Sequence, residues 1–212
     1  MNKRNKILLN IKKIKSLSFG KTKIDCIYNN QKYKLILITR DCVKNKNIVR
    51  LLSKWRKKHQ FWFQAQFKVT VKGTKIWLEK KVIETPDRLL FLIDINDNFI
   101  GHAGFFRFNL KNYICEIDNV VRGEPGYPGI IETSLKYLMK WGKKNLFIKD
   151  YILETTSDNQ KAIRLYTKLG FTEFKRIPLI KINLKGYNEW VEAPKNYNKE
   201  IKRYNVFMKI KN

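Results

Sequence analysis

YICEIDNVVRGEPGYPGIIETSLKYLMKWG (residues 113–142) and SDNQKAIRLYTKLGF (residues 157–171), joined by a short apolar stretch, decide the fold of this chain. Tyr113–Arg122 alternates like a strand and runs into a loop holding Gly123, Gly126 and Gly129. The spacing after the loop predicts an amphipathic helix from about Gly129 to Lys143. A strand, a glycine-rich loop and a helix N-terminus in succession make an anion site. The first helical turn leaves backbone N–H groups unpaired, and the helix dipole adds a positive end. An exposed negative charge there gains about 0.3–1 kcal/mol.

Two familiar phosphate loops do not fit. A Walker loop needs a Lys-Ser/Thr pair after its last glycine, and Gly129 is followed by Ile130 and Ile131. A dinucleotide loop needs GxGxxG spacing, which is absent here. The loop instead resembles that of the GNAT acetyltransferase family, written R/Q-x-x-G-x-G/A. Arg122, Gly123, Gly126 and Gly129 carry the likeness, with altered spacing and with Pro125 and Pro128 inserted. The second half matches the family's N-x-x-A-x-x-L/F-Y-x-x-x-G-F signature at Asn159, Ala162, Leu165, Tyr166, Leu169, Gly170 and Phe171. The spacing has a physical reading. Asn159 opens a helix, Ala162 and Tyr166 share one face, and Gly170 stops the helix before a strand. The resemblance spans roughly residues 33–177.

Composition bounds the class. At 212 residues the chain is long enough to bury about 70% of its unfolded surface as one domain. Its 43% hydrophobic and 13% aromatic content fits a packed core. The net charge of +27 comes from 45 basic and 18 acidic residues. It suits anionic ligands such as CoA or a nucleotide, and also a phosphate backbone, without choosing among them. Cys26, Cys42 and Cys115 are odd in number and share no metal or disulfide spacing, so a reducing, cytoplasmic setting is expected. The apolar stretch Ile7–Leu9 is too short for a signal peptide, and the run Leu89–Ile93 stops at Asp94, so no membrane span is expected.

Residues 1–32 form a basic N-terminal extension, read as an extra hairpin or a basic arm, with turns at Gly20 and Asn29-Asn30. Residues 33–212 are expected to form a single GNAT-like domain. A first strand at Tyr33–Thr39 leads to a helix capped by Asp41 and carrying Ile48, Leu51, Leu52 and Trp55. HQFWFQAQF, residues 59–67, holds four aromatics without clear periodicity and reads as a pocket-lining loop. Thr74 caps a second helix ending near Pro86. Arg88–Asp94, Phe99–Phe108 and Tyr113–Arg122 form an antiparallel meander, with a hairpin turn at residues 96–98. A strand at Phe147–Thr155, the Asn159 helix and a strand after Phe171 follow. Lys185–Tyr197 reads as a long loop, and Arg203–Lys211 as the last strand. The expected fold is α/β (α+β), a mixed, mostly antiparallel GNAT-like sheet with helices on both faces.

The resemblance implies acetyl transfer from acetyl-CoA, a cosubstrate, to an amine in a ternary complex. Such a reaction needs a pyrophosphate site, polarisation of the thioester carbonyl, a base for the ammonium proton and an acid for the thiolate. The family splays its fourth and fifth strands so that pantetheine pairs with the fourth, which would put a free N–H near Val120 or Val121 opposite the thioester oxygen. Backbone N–H groups from Arg122 to Ile130, through Gly123, Gly126, Tyr127 and Gly129, would hold pyrophosphate, although Pro125 and Pro128 each remove a donor. Tyr166 stands at the place of the family's general acid and Asn159 at that of a partner of the CoA chain. Two residues compete for the base, Glu116 and His102. Glu116 and Asp118 share one strand face, an expensive arrangement unless they are used or paired.

The acceptor side looks most like that of GNAT enzymes acting on nucleotide-linked amino sugars. Trp55-Arg56, the aromatic loop, IGHAG at residues 100–104 and CEIDNVVRG at residues 115–123 carry this likeness. It implies substrate contact by Trp55, Arg56, Trp62, Phe63, Gln64 and Asp118. The expected partners are acetyl-CoA and a small amino-sugar nucleotide, with no metal, while oligomerisation is left open. One rival is acetylation of a protein amine, ribosomal or other. Another is a noncatalytic basic nucleic-acid-binding protein, against which stands the lack of any recognised RNA module.

Overall fold

In the computed structural model, which describes residues 3–210, ten strands form one sheet among the described residues. They are β1 (Lys23–Tyr28), β2 (Gln31–Leu37), β3 (Ala65–Phe67), β4 (Leu89–Ile95), β5 (Asn98–Asn109), β6 (Ile114–Arg122), β7 (Asp150–Thr156), β8 (Thr172–Leu184), β9 (Tyr187–Glu192) and β10 (Arg203–Ile210). Their order across the sheet is β1-β2-β4-β5-β6-β7-β10-β8-β9-β3. Neighbours run antiparallel except β6 and β7, which are parallel. The helices are α1 (Lys3–Ser16), α2 (Asp41–Lys44), α3 (Lys46–His59), α4 (Val71–Trp77), α5 (Ile130–Leu146) and α6 (Gln160–Lys168). The mixed, mostly antiparallel sheet with helices on both faces is as expected. Lys211, the expected end of the last strand, lies outside the described residues.

β4 shows how the layers are held. All seven of its residues are buried, and alternate side chains enter opposite cores. Phe91 and Ile93 pack with Leu135 and Leu138 of α5, while Leu90 and Leu92 pack with Leu52 and Trp55 of α3. A strand covered on both faces reads as a continuous apolar run rather than an alternation. Among the described residues no helix is long and apolar enough to cross a membrane.

Residues 3–32 are built into this framework. Ile7 and Ile11 of α1 are buried in the same core as α5, each burial contributing about 1.5–3 kcal/mol. Lys15 Nζ donates to the carbonyls of Val82, Thr85 and Arg88 at 2.9, 2.6 and 3.0 Å. β1 extends the sheet through a hairpin whose turn residues, Asn29 and Asn30, have φ of 48° and 62°, as a two-residue primed turn needs.

Three local expectations change. Asp41 accepts the Phe19 N–H, and the cap of α3 is Asn45, whose side chain accepts from Asn47 and Ile48 N–H. Thr70, not Thr74, caps α4 by accepting the Gly73 N–H; Thr74 is buried inside the helix, which runs on as a π-helical turn over Leu78–Ile83. Part of the expected loop at Lys185–Tyr197 is β9, which pairs with β8 and with β3.

Candidate active site

β6 and β7 pair only from Ile114 to Glu116, opposite Asp150 to Ile152. Beyond Glu116 the two strands diverge, and β6 continues to Arg122 along an open gap. β6 is also bulged there. His102 of β5 faces Val121 and Gly104 faces Asp118, so Asn119 and Val120 together oppose Ala103. Asn119 takes a left-handed φ of 51°, which Asn tolerates better than most residues.

Two cavities meet in this gap. The larger, about 850 Å³, runs from Val120 and Val121 along the 122–129 loop to the start of α6. The smaller, about 280 Å³, lies over the other side of β6 and includes Glu116, Asp118 and Glu154 in its walls. Trp62, Phe63, Val120, Val121, Asn159 and Tyr166 border both. The aromatic turn therefore lies where a pocket-lining loop was expected, with Gln64 on the smaller cavity alone.

The loop offers fewer donors than its length suggests. Gly123 and Glu124 N–H both donate to the Ile100 carbonyl at 2.9 Å, and Ile130 N–H donates to Tyr127 O at 3.2 Å. With Pro125 and Pro128 lacking an N–H, the loop donors free of backbone partners among the described residues are those of Gly126, Tyr127 and Gly129. These three residues have φ of 83°, 51° and 88°, all in the left-handed region. Lys58, Arg122, Lys161 and Arg164 add positive charge along the cavity. At Gly129 a side chain would meet open space but a disfavoured backbone. Gly129→Val is expected to leave the protein folded and weaken CoA binding at least tenfold by calorimetry, because valine relaxes out of the left-handed conformation and must return to it, at about 1–2 kcal/mol, to present its N–H to the ligand. Unchanged affinity would place the phosphates elsewhere.

α3 holds the loop from below. Lys58 Nζ donates to Gly123 O at 3.0 Å, and His59 Nε2 lies 3.0 Å from Arg122 O. Trp55 Nε1 donates to Glu124 Oε1 at 2.8 Å, and a Cβ at Gly123 would collide with the Trp55 ring. From the other side, Tyr28 of β1 donates its hydroxyl to Pro128 O at 2.6 Å. Trp55, expected at the substrate, is fully buried and borders neither cavity. It packs under the loop instead. Arg56 is likewise buried and borders neither cavity.

His102 is the second departure. Its ring is buried beside Trp55, 5.9 Å between centroids, and Nδ1 lies 2.7 Å from Asn119 O. A carbonyl only accepts, so Nδ1 carries the proton and Nε2, which has no partner among the described residues, is bare. Burial pushes its pKa down to about 4, against a weaker opposing effect of the Asn119 carbonyl. The ring is thus neutral at physiological pH, tied to the bulge and away from both cavities.

Glu116 is differently placed. It forms a wall of the smaller cavity, and Arg107 Nη1 bridges it to Glu154 at 3.1 and 2.8 Å. Burial outweighs this arginine and raises the Glu116 pKa to about 7. Asp118 pairs with Arg88 at 2.9 Å and is also raised by burial. Tyr166 is buried at the junction of the cavities, and burial followed by the Asp118 charge raises its pKa, keeping the phenol protonated. Asn159 caps α6 by accepting the Ala162 N–H at 3.3 Å. Sequence reasoning missed Arg88, Arg107, Glu154 and Asn205. The last donates to Glu154 at 2.8 Å from β10, a contact that no local spacing announces.

A bulged strand splayed from its parallel neighbour, with a left-handed loop and a helix N-terminus beside it, is the arrangement that the resemblance to acyl-CoA-dependent transferases implies. The sequence makes the assignment specific. Residues 43–172 match the family model described as acetyltransferase (GNAT) domain, and the chain belongs to the GNAT acetyltransferase family. No curated protein matches it. Among solved structures it resembles the spermidine N-acetyltransferase of Vibrio cholerae in complex with CoA and spermine, at TM-score 0.60 and 18% identity over 84% of this chain and 95% of that one. It also resembles the ribosomal L7/L12 alpha-N-protein acetyltransferase RimL, at 0.62 and 14% over 92% and 98%. A third likeness is to the microcin C7 self immunity acetyltransferase MccE in complex with acetyl-CoA and AMP, at 0.62 and 14% over 84% and 92%. At these identities the likeness concerns the fold.

Proposed function

We propose that this acetyl-CoA-dependent N-acetyltransferase acetylates the amino group of a nucleotide-linked amino sugar, within one acetyltransferase domain over residues 33–212 and with residues 1–32 as its extension. The observation that carries the acceptor reading is the balance of charge in the smaller cavity. Glu116 and Glu154 share Arg107, and Asp118 has Arg88. Three carboxylates held by two guanidinium groups leave room for one ammonium among polar groups. A polycation would be better served by unpaired carboxylates. Trp62 and Phe63 add flat apolar surface over the cavity mouth, suited to a sugar face or a base.

In this reading acetyl-CoA lies along the larger cavity, its pyrophosphate at Gly126, Tyr127 and Gly129 and its pantetheine beside Asn159. The thioester oxygen faces the N–H groups of the Val120–Val121 segment, next to the bulge. Glu116, ionised, takes a proton from the acceptor ammonium. The amine nitrogen attacks the thioester carbon, the C–S bond breaks as the tetrahedral intermediate collapses, Tyr166 gives its proton to the departing sulfur, and the extra proton on the new amide nitrogen leaves to solvent, from which the tyrosinate is reprotonated. Asp118, paired with Arg88, lies beside the acceptor.

The test is thiol release from acetyl-CoA with nucleotide-linked amino sugars, polyamines and basic peptides as alternative acceptors. Turnover led by a nucleotide-linked amino sugar is expected, and selective turnover of a polyamine or a peptide amine would overturn the assignment. Trp62→Ala is expected to raise KM for the preferred acceptor about tenfold, as loss of a stacking contact of 1–3 kcal/mol does, with KM for acetyl-CoA within a factor of about two. A proportional rise in both would make Trp62 a wall shared by both substrates.

A further inference from the structure

Arg107 is an exposed cation laid over two more enclosed acids. Its side chain is 59% exposed, against 9% for Glu116 and 24% for Glu154. A single nitrogen, Nη1, donates to Glu116 Oε2 at 3.1 Å and to Glu154 Oε1 at 2.8 Å. The second Glu154 oxygen accepts from Asn205 Nδ2 at 2.8 Å, so both oxygens of that carboxylate are taken. Glu116 Oε1 has no partner among the described residues and is left for the acceptor. The backbone beneath is unusual as well. Arg107 has a left-handed φ of 50°, uncommon for a residue with a side chain, where the register of β5 against β6 shifts between Phe106 and Asn109.

The other acid on this side of the gap, Asp118, is held by Arg88, an arginine far less exposed than Arg107. One nitrogen within hydrogen-bond reach of two carboxylates is also the geometry in which a primary ammonium binds such a pair. We propose that Arg107 is a specificity-determining residue: its guanidinium fills the place of a second ammonium between Glu116 and Glu154, so the smaller cavity admits an acceptor bearing one ammonium and turns away polyamines. An attacking amine reaches Glu116 Oε1. A second ammonium on the same molecule would find Glu116 Oε2 and both Glu154 oxygens occupied, with a resident positive charge beside them. Like charges brought together reject a wrong partner even where the rest of it fits. The inference rests on the acceptor reading above, with Glu116 as base, and assigns the discrimination within that site to one side chain.

Removing that charge should open the cavity to polycations, a gain that loss of a merely structural residue does not give. Because Arg107 is mostly exposed and Asn205 continues to hold Glu154, the fold should survive its replacement. With the protein loaded with CoA, spermidine and glucosamine are titrated by calorimetry into wild type, Arg107→Gln and Arg107→Lys. Arg107→Gln is expected to bind spermidine at least about tenfold more tightly than wild type does, and to gain less for glucosamine, which carries one ammonium. Arg107→Lys keeps the charge and should stay close to wild type. CoA affinity should be the same in all three. Spermidine binding no tighter in Arg107→Gln, an equal gain for glucosamine, or an equal gain in Arg107→Lys would overturn the role. The readout needs no turnover. A spermidine gain in an enzyme that rejects every amino sugar would sink only the acceptor assignment, and turnover of an amino sugar without that gain would sink only the role of Arg107.

Discussion

Glu116→Gln is expected to lower kcat by about 10²–10⁴-fold, the range for losing a general base. Glutamine keeps the shape of the side chain and still accepts from Arg107, so the strand pairing at Ile114–Glu116 should survive. The pH profile identifies the cause. Burial raises the Glu116 pKa to about 7, so the ionised, proton-accepting form grows as pH rises through that value. In the wild type kcat/KM should therefore climb through about pH 7 and level off above it. The acceptor amine adds its own titration, but that limb belongs to the substrate and would persist in the variant, whereas the limb due to Glu116 would vanish. His102 cannot replace it near neutrality. Its pKa is pushed down to about 4, so it changes charge well below the limb. A variant with near-wild-type kcat and an unchanged profile would remove Glu116 from the chemistry.

Tyr166→Phe tests the other proton. The phenol is buried and its pKa raised, so it is a proton donor across the working range and not a titrating base. Phenylalanine retains the edge contact with Phe171, 6.2 Å between centroids, and removes only the hydroxyl. A fall in kcat of about 10²–10⁴-fold is expected, with the dissociation constant for CoA nearly unchanged. The upper pH limit of the wild-type rate should also be absent below the Tyr range. Single-turnover measurements that show thiol release at the wild-type rate would leave Tyr166 as a packing residue.

The parts of the site legible in sequence are those whose chemistry lies within a single turn or strand. Asn159, Ala162 and Tyr166 follow helical spacing, and the structure gives Asn159 the cap and Tyr166 the inward face. The glycine loop reads as a candidate anion site, but the sharing of its donors is not legible, because the Ile100 carbonyl that consumes two of them comes from another strand. His102 reads as a candidate base because sequence gives its position on a strand but not its burial. The bulge that ties its ring to Asn119 depends on a left-handed asparagine, which carries no signal of its own. β9 was hidden for a different reason. Most of its residues are half-exposed, so it lacks the apolar alternation that marks a strand, and its pairing comes from β8 and β3 on either side. Arg107 and Glu154 meet Glu116 only through the register of three separate strands.

The position of β10 bears on how the molecule is made. β10 is last in sequence among the described strands, yet it sits between β7 and β8 and pairs with both. While residues 203–210 are still within the ribosome, β7 and β8 have no strand to join them, and the sheet exists as two unconnected pieces. Asn205 is then missing from Glu154, and Arg203 from Asp158, beside the cap of α6. Closure must wait for contacts of long sequence separation, which are slow to form and leave strand edges exposed meanwhile. The nascent chain is therefore most open to aggregation in the interval between synthesis of β8 and docking of β10, and the wall of the smaller cavity at Glu154 is completed only with that docking.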